Sequence, residues 1–198
     1  LYASGGARVE GAELTSTLIE ASGFEKVEGP ITLSPLDNGT YEINAQTFDK
    51  VILACGAWLG QTLEPLGFEV DVRPQKGQLR DYFFEGLDTG KLPVLMPEGE
   101  LDVIPFAGGK ISVGASHEND QGFDLTVDET VLASLEEEAK TYFPDLSTAK
   151  SFSERVGTRA YTSDFSPFFG EVPELEGVFV ASGLGSSGLT TGPLIGKN

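Results

Sequence analysis

Basic residues are scarce. Thirteen lysines and arginines stand against 31 aspartates and glutamates, and the formal net charge is -18 over 198 residues. A field of that sign repels nucleic-acid phosphates and anionic lipid headgroups, so neither is an expected partner. The plainer consequence of the charge is solubility. Apolar runs are short. The longest, Val51 to Cys55, is far below the ~20 residues of a membrane-spanning helix, so membrane insertion is not expected. Cys55 is the single cysteine, which excludes an intrachain disulfide and suits a reducing, cytoplasmic location. His117 is the single histidine. A metal centre built from His and Cys is therefore excluded in practice, and a Ser/His/Asp arrangement could use only His117. That residue follows a strand-like run, precedes Glu118 and Asn119, and reads as a loop histidine. The carboxylates show no calcium-loop spacing.

Glycine, by contrast, is abundant. Five glycines fall within ASGLGSSGLTTGPLIG, residues 181–196. Loops of this composition let the backbone approach a phosphate or a flat ring closely. Yet neither this stretch nor ASGGARVEG near the start matches G-x-G-x-x-G with an acidic residue at the dinucleotide-binding spacing.

The order of elements reads as α/β, then antiparallel β with a helix, then α/β. Residues 10–22 have helical spacing, with Leu14, Leu18, Ile19 and Ala21 on one side and Gly23 as a stop. Asp37-Asn38-Gly39 is a hairpin turn between Ile31–Ser34 and Tyr41–Asn44. The unbroken apolar run at Val51 predicts a parallel strand buried on both faces and ending at Gly56. Short strands are predicted over 72–84, 92–97, 101–106 and 110–116, with a turn at Gly108-Gly109. Thr126 and Glu129 have capping-box spacing before a stripe of Val131, Leu135, Ala139 and Tyr142, and Pro144 ends that helix. GVFVASG, 177–183, is a second strand running into glycine.

Two strand-to-glycine junctions thus stand out, Ala54-Cys55-Gly56-Ala57-Trp58 and Ala181-Ser182-Gly183. Glycine after a strand is common, so both read as ordinary tight turns, with a ligand-facing crest as the alternative. Arg159 carries a fork suited to a carboxylate, or to a surface salt bridge.

Five segments in order resemble the FAD-dependent oxidoreductases of the D-amino-acid oxidase type, which include glycine oxidase, sarcosine oxidase and D-amino-acid dehydrogenase. VILACGAW is similar to that family's strand ending in Ala-Ala-Gly-Ala-Trp. VRPQKGQL resembles its Pro-x-x-Gly-Gln segment, and VIPFAGGKISVGAS its strand pair ending in Gly-Ala-Thr. VGTRAYTSDFSPFFG resembles Gly-Leu-Arg-Pro followed by Thr, Asp, Pro and Gly, and VFVASGLGSSGLTTGP its closing flavin loop.

The resemblance implies a FAD-binding α/β domain interleaved with an antiparallel-sheet-plus-helix substrate domain. Residues 1–72 would be the middle part of the FAD domain, 73–158 the substrate domain, and 159–198 the return to the FAD domain. The family's nucleotide fingerprint lies upstream of the matching region, so a piece of a longer chain is expected. Ala54, Cys55, Gly56 and Trp58 would lie beside the flavin nucleotide. Gly183, Leu184, Gly185, Ser186, Ser187, Gly188, Leu189 and Thr190 would run along the ring and ribitol. Arg159 would anchor the carboxylate of an amino-acid or amine substrate, with Ser186 also facing it, and no side-chain base is demanded. Departures fall at Ala160, where the family has proline, at Leu184, where histidine is common, and at Ser186, where glycine oxidases can carry arginine. Two further readings stand beside this one. The piece could be a non-catalytic module without tightly bound FAD, or the flavin domain of a tRNA-modifying bifunctional enzyme. The acidic charge argues against the latter.

Overall fold

In a computed structural model of the chain, residues 3–5 and 7–197 are described. The chain divides into two units between Ile31 and Thr32. The first carries one helix, α1 (Gly11–Ser22), which ends at Gly23 in the left-handed conformation, φ 66°. None of its side chains is buried, and Leu18 is 60% exposed. The expected packing stripe is therefore not buried, because the described residues of this unit offer α1 no second element to pack on.

The second unit opens with three short antiparallel strands, β1 (Leu33–Pro35), β2 (Tyr41–Ile43) and β3 (Gln46–Phe48). The Asp37-Asn38-Gly39 turn forms as expected. Asn38 Oδ1 accepts from Thr40 N at 3.1 Å, and Gly39 has φ 80°. The turn into β3 uses Asn44 and Ala45, both at positive φ. Alanine in that place hides the usual Asn-Gly signal.

A second sheet has the order β4-β10-β9, from β4 (Val51–Leu53), β9 (Phe168–Glu171) and β10 (Val178–Ser182). β4 and β10 run parallel, with Leu53 opposite Val180. The expectation that β4 is buried on both faces is corrected. Val51 and Leu53 are buried, but Ile52 between them is 75% exposed. β4 is an edge strand, and only one of its faces meets the core of Leu33, Tyr41, Leu59, Leu63 and Val178. A short 3-10 turn over Gly56–Trp58 leads from β4 into α2 (Leu59–Leu63).

The third sheet is antiparallel, with the order β6-β7-β5-β8. It is built from β5 (Arg73–Phe83), β6 (Asp102–Pro105), β7 (Lys110–Gly114) and β8 (Lys150–Tyr161). The strands expected over 72–84, 101–106 and 110–116 are present. Residues 92–97 contribute only the single bridge Leu95 to Val103, since Pro93 and Pro97 have no N–H to donate. β8 was not legible, because KSFSERVGTRAY has no clean alternation and Gly157 interrupts it. α3 (Glu129–Tyr142) covers this sheet, burying Leu132 and Ala139. Its cap is Asp128, which accepts from Thr130 N at 2.8 Å and Val131 N at 3.3 Å. The Thr126 capping box is not formed, because the Thr126 N–H goes to Asp124 Oδ1 at 2.8 Å. The last helix, α4 (Gly188–Ile195), follows the glycine loop. Among the described residues, no helix is long and apolar enough to cross a membrane.

Candidate functional site

Parallel pairing of β4 and β10 brings their carboxyl ends together, and with them the two strand-to-glycine junctions. Ser182 Oγ donates to the Gly56 carbonyl at 2.9 Å and ties one junction to the other. In open α/β sheets, ligands bind beyond the carboxyl ends of parallel strands. Glycine is required here by conformation. Gly56, Gly183 and Gly185 have φ of 56°, 75° and 52°. At Gly183 a β-carbon would also stand 2.8 Å from Thr162 Cγ2.

The predicted residues on the first junction have unequal settings. Ala54 is exposed, Cys55 is half-buried against the core, and Trp58 stacks on Phe123 with ring centroids 4.8 Å apart. On the second junction, Leu184 lies against Gly188 and Gly192, and Ser187 Oγ donates to the Leu184 carbonyl at 2.9 Å. Leu189 and Thr190 lie exposed in the first turn of α4. Ser186 reaches across to the third sheet, its Oγ 3.1 Å from His117 Nε2.

His117 is a site residue that the sequence did not mark. Residues 116–118 run beside β5 as an extra rung. Ser116 N donates to the Gln78 carbonyl at 3.1 Å, and Lys76 and Glu118 exchange both backbone hydrogen bonds. Beneath them, Ser116 Oγ donates to Glu118 Oε1 at 2.5 Å, and Gln78 Nε2 donates to the same oxygen at 2.7 Å. This network pins the segment and aims His117 at the glycine loop. The other ring nitrogen, Nδ1, is buried and makes no hydrogen bond among the described residues, while Glu100 Oε2 stands 3.3 Å away. Nearby Asp102 has its pKa raised by burial, against the opposing effect of His117.

Arg159 emerges from β8 opposite Gln75. Its Nη1 donates to the Ser116 carbonyl at 2.8 Å, one residue from His117. No carboxylate forms an ion pair with it among the described residues, so the surface salt bridge considered from spacing alone does not exist. Burial draws its pKa down and the charge of Glu100 pushes it back, but a guanidinium stays protonated. The side chain lies over Gly77, where a β-carbon would come within 2.5 Å of Nη1. Arg159, His117 and Ser186 are thus contiguous. Gly77, Ser116 and Glu100 complete the setting, and of these Glu100 lies outside every segment that carries the resemblance.

A family model described as FAD dependent oxidoreductase matches residues 1–198. The chain belongs to this family. An uncharacterized oxidoreductase of Bacillus subtilis, YurR, is 38% identical over 205 residues, covering 99% of this chain and 55% of that protein. A glycine oxidase of Pseudomonas aeruginosa is 33% identical over 145 residues, 73% of this chain and 39% of that one. The crystal structure of iminodiacetate oxidase from Chelativorans sp. BNC1 superposes with a TM-score of 0.91 at 32% identity, covering 98% of this chain and 54% of that one. The chain therefore spans about half the length of these FAD dependent oxidoreductases. Where the two strand ends meet, Gly56, Gly183 and Gly185 present backbone without a β-carbon, a setting that fits the close approach of the flavin that the family implies.

Proposed function

We propose that the protein is an FAD-dependent oxidoreductase acting on an amino acid or a secondary amine that carries a carboxylate. The single observation that carries this reading is Arg159. It is a partly buried guanidinium without an ion pair among the described residues, held by the Ser116 carbonyl, next to His117 whose Nε2 meets Ser186 of the glycine loop. Such a fork binds a carboxylate through two parallel hydrogen bonds. The family membership and the glycine oxidase relatives support the same substrate class.

In this reading Ala54, Cys55, Gly56 and Trp58 border the nucleotide, and Gly183 to Thr190 follow the ring and ribitol. Residues 1–72 and 159–198 serve the cofactor, and 73–158 the substrate. Bound FAD would supply the oxidation, taking a hydride equivalent from the α-carbon so that the C–N bond becomes an imine that water hydrolyses. The chain's own work is to hold the substrate carboxylate at Arg159 and thereby orient the α-carbon.

Purified full-length protein should show flavin absorbance and oxidise members of a panel of glycine, sarcosine, iminodiacetate, proline and D-amino acids. Arg159→Ala should raise KM strongly, since losing one partner of a desolvated charge pair costs about 2–5 kcal/mol. A colourless protein that cannot be reconstituted with FAD would sink the reading, and an unchanged KM would remove the anchor role.

A further inference from the structure

An amine is oxidised through its neutral form, because the nitrogen lone pair must be available as the C–N double bond develops. A free amino acid or secondary amine reaches the site as an ammonium ion. The proton must therefore be taken up inside the site and delivered to water. We propose that His117 takes it and that Glu100 passes it on. The proposal rests on the amine-oxidising reading above.

Four observations bear on it. First, His117 stands beside the carboxylate anchor, since the carbonyl that receives Arg159 Nη1 at 2.8 Å belongs to Ser116, the preceding residue. Second, Nε2 faces the glycine loop, 3.1 Å from Ser186 Oγ, which is the side from which a substrate held along that loop would approach. Third, Nδ1 is shielded from solvent and makes no hydrogen bond among the described residues, yet the carboxylate of Glu100 stands 3.3 Å from it. A buried ring nitrogen left without a hydrogen bond costs stability, so its retention calls for an explanation. Fourth, the Glu100 side chain is 59% exposed, whereas that of His117 is 25% exposed. A proton handed from the ring to Glu100 is already at the solvent.

The accounting closes without another reactant. An N–H bond of the substrate ammonium breaks, and its electron pair stays on nitrogen. The proton joins the imidazole at Nε2, which Ser186 Oγ faces. The Nδ1 proton leaves toward Glu100 Oε2 and exchanges with water. The surrounding charges are consistent with this direction. Asp102, on β6, is half-buried, and burial raises its pKa while its interaction with His117 opposes that rise. Arg159 reaches Glu100 electrostatically and not through an ion pair. Glu118 does not compete for the ring, because its carboxylate is held by Ser116 and Gln78. An imidazole standing beside an exposed carboxylate is suited to passing a proton to water.

The test uses the flavin-loaded full-length protein and 2-aminoisobutyrate, an amine carboxylate with no α-hydrogen to lose. Calorimetric titration near neutral pH, in two buffers of different ionisation enthalpy, counts the protons released on binding. Wild type should release about one proton per ligand, and His117→Gln should release close to none. Glu100→Gln, at an exposed position that leaves folding undisturbed, should release less than wild type. With an oxidisable substrate, kcat/KM should fall about 100-fold in His117→Gln, and the acid-side decline that an imidazole acceptor imposes should disappear. Binding by wild type without proton release, or with equal release in all three proteins, overturns the relay and leaves the amine reading standing. No binding by wild type removes the amine reading, and the relay with it.

Discussion

The guanidinium of Arg159 rests on the α-carbon of Gly77, so closely that a methyl group there would lie 2.5 Å from Nη1 and 2.8 Å from Nη2. The two residues sit on neighbouring strands, Gly77 paired with Gly157 and Arg159 with Gln75. Glycine at position 77 thus creates the slot in which the anchor lies. Gly77→Ala should displace the fork without unfolding the sheet, because a flexible side-chain end can move aside. KM for a carboxylate substrate should rise roughly tenfold, equivalent to ~1.4 kcal/mol, while the melting temperature barely changes. Kinetics and thermal denaturation on the same preparation check this. A large loss of melting temperature would show that Gly77 serves the fold instead.

Arg159→Lys keeps the charge and discards the fork. Lysine offers a point charge and cannot make two parallel hydrogen bonds to one carboxylate. KM should rise about tenfold, less than for Arg159→Ala. Equal KM values for lysine and arginine would mean that charge alone holds the substrate.

Asp81 is buried in the third sheet and accepts from Arg155 Nη2 at 2.9 Å, Ser112 Oγ at 2.5 Å and Ser153 Oγ at 3.0 Å, with Lys110 Nζ 3.5 Å away. Burial alone would raise its pKa, but the hydrogen bonds from Arg155 and Ser112 outweigh it and hold the carboxyl below the ordinary range. A lowered folded-state pKa gives stability that is present above the ordinary carboxylate value and lost as pH falls through the folded value. Asp81→Asn should therefore destabilise the protein by about 1–3 kcal/mol at neutral pH, because the charge-assisted hydrogen bonds of a buried carboxylate are lost. The gap between the two proteins should close in acid. Urea denaturation across pH measures it, and a gap that widens in acid would contradict the assignment.

At the junction of β4 and β10, two substitutions separate a hydrogen bond from a backbone requirement. Ser182→Ala removes the link to the Gly56 carbonyl and should cost about 1 kcal/mol. Gly183→Ala forces a β-carbon onto a residue at φ 75° and against Thr162, and should cost about 2 kcal/mol. Flavin content should fall more in the second variant, as absorbance of the purified proteins would show. The opposite order would place the hydrogen bond above the glycine conformation.

Much of this site is local and therefore readable. Strand-to-glycine transitions, the Asn-Gly hairpin and the helix ending at Phe143 all leave marks within a few residues of themselves. Chain order did the rest, since five segments in one order carry a family resemblance that no single segment could. The misreadings have separate causes. Val51, Ile52 and Leu53 look alike in sequence, yet Ile52 is exposed because it points to the sheet face opposite the core that Val51 and Leu53 enter. Thr126 has the right spacing for a cap, but Asp124 takes its N–H first.

By itself the sequence determined the class of fold and the two glycine junctions, which depend on residue type and short spacing, and the order of five segments carried the family resemblance that singles out Arg159. Only the tertiary structure decided that Ser182 joins the junctions, that Gly77 seats Arg159, and that His117 stands between Ser186 and Glu100. Glu100, His117, Arg159 and Ser186 come from four separate segments. The pairing of β5 with β8, and the rung of residues 116–118 beside β5, bring them together. Such pairing is set by the burial of a whole sheet face, which no window of the sequence contains.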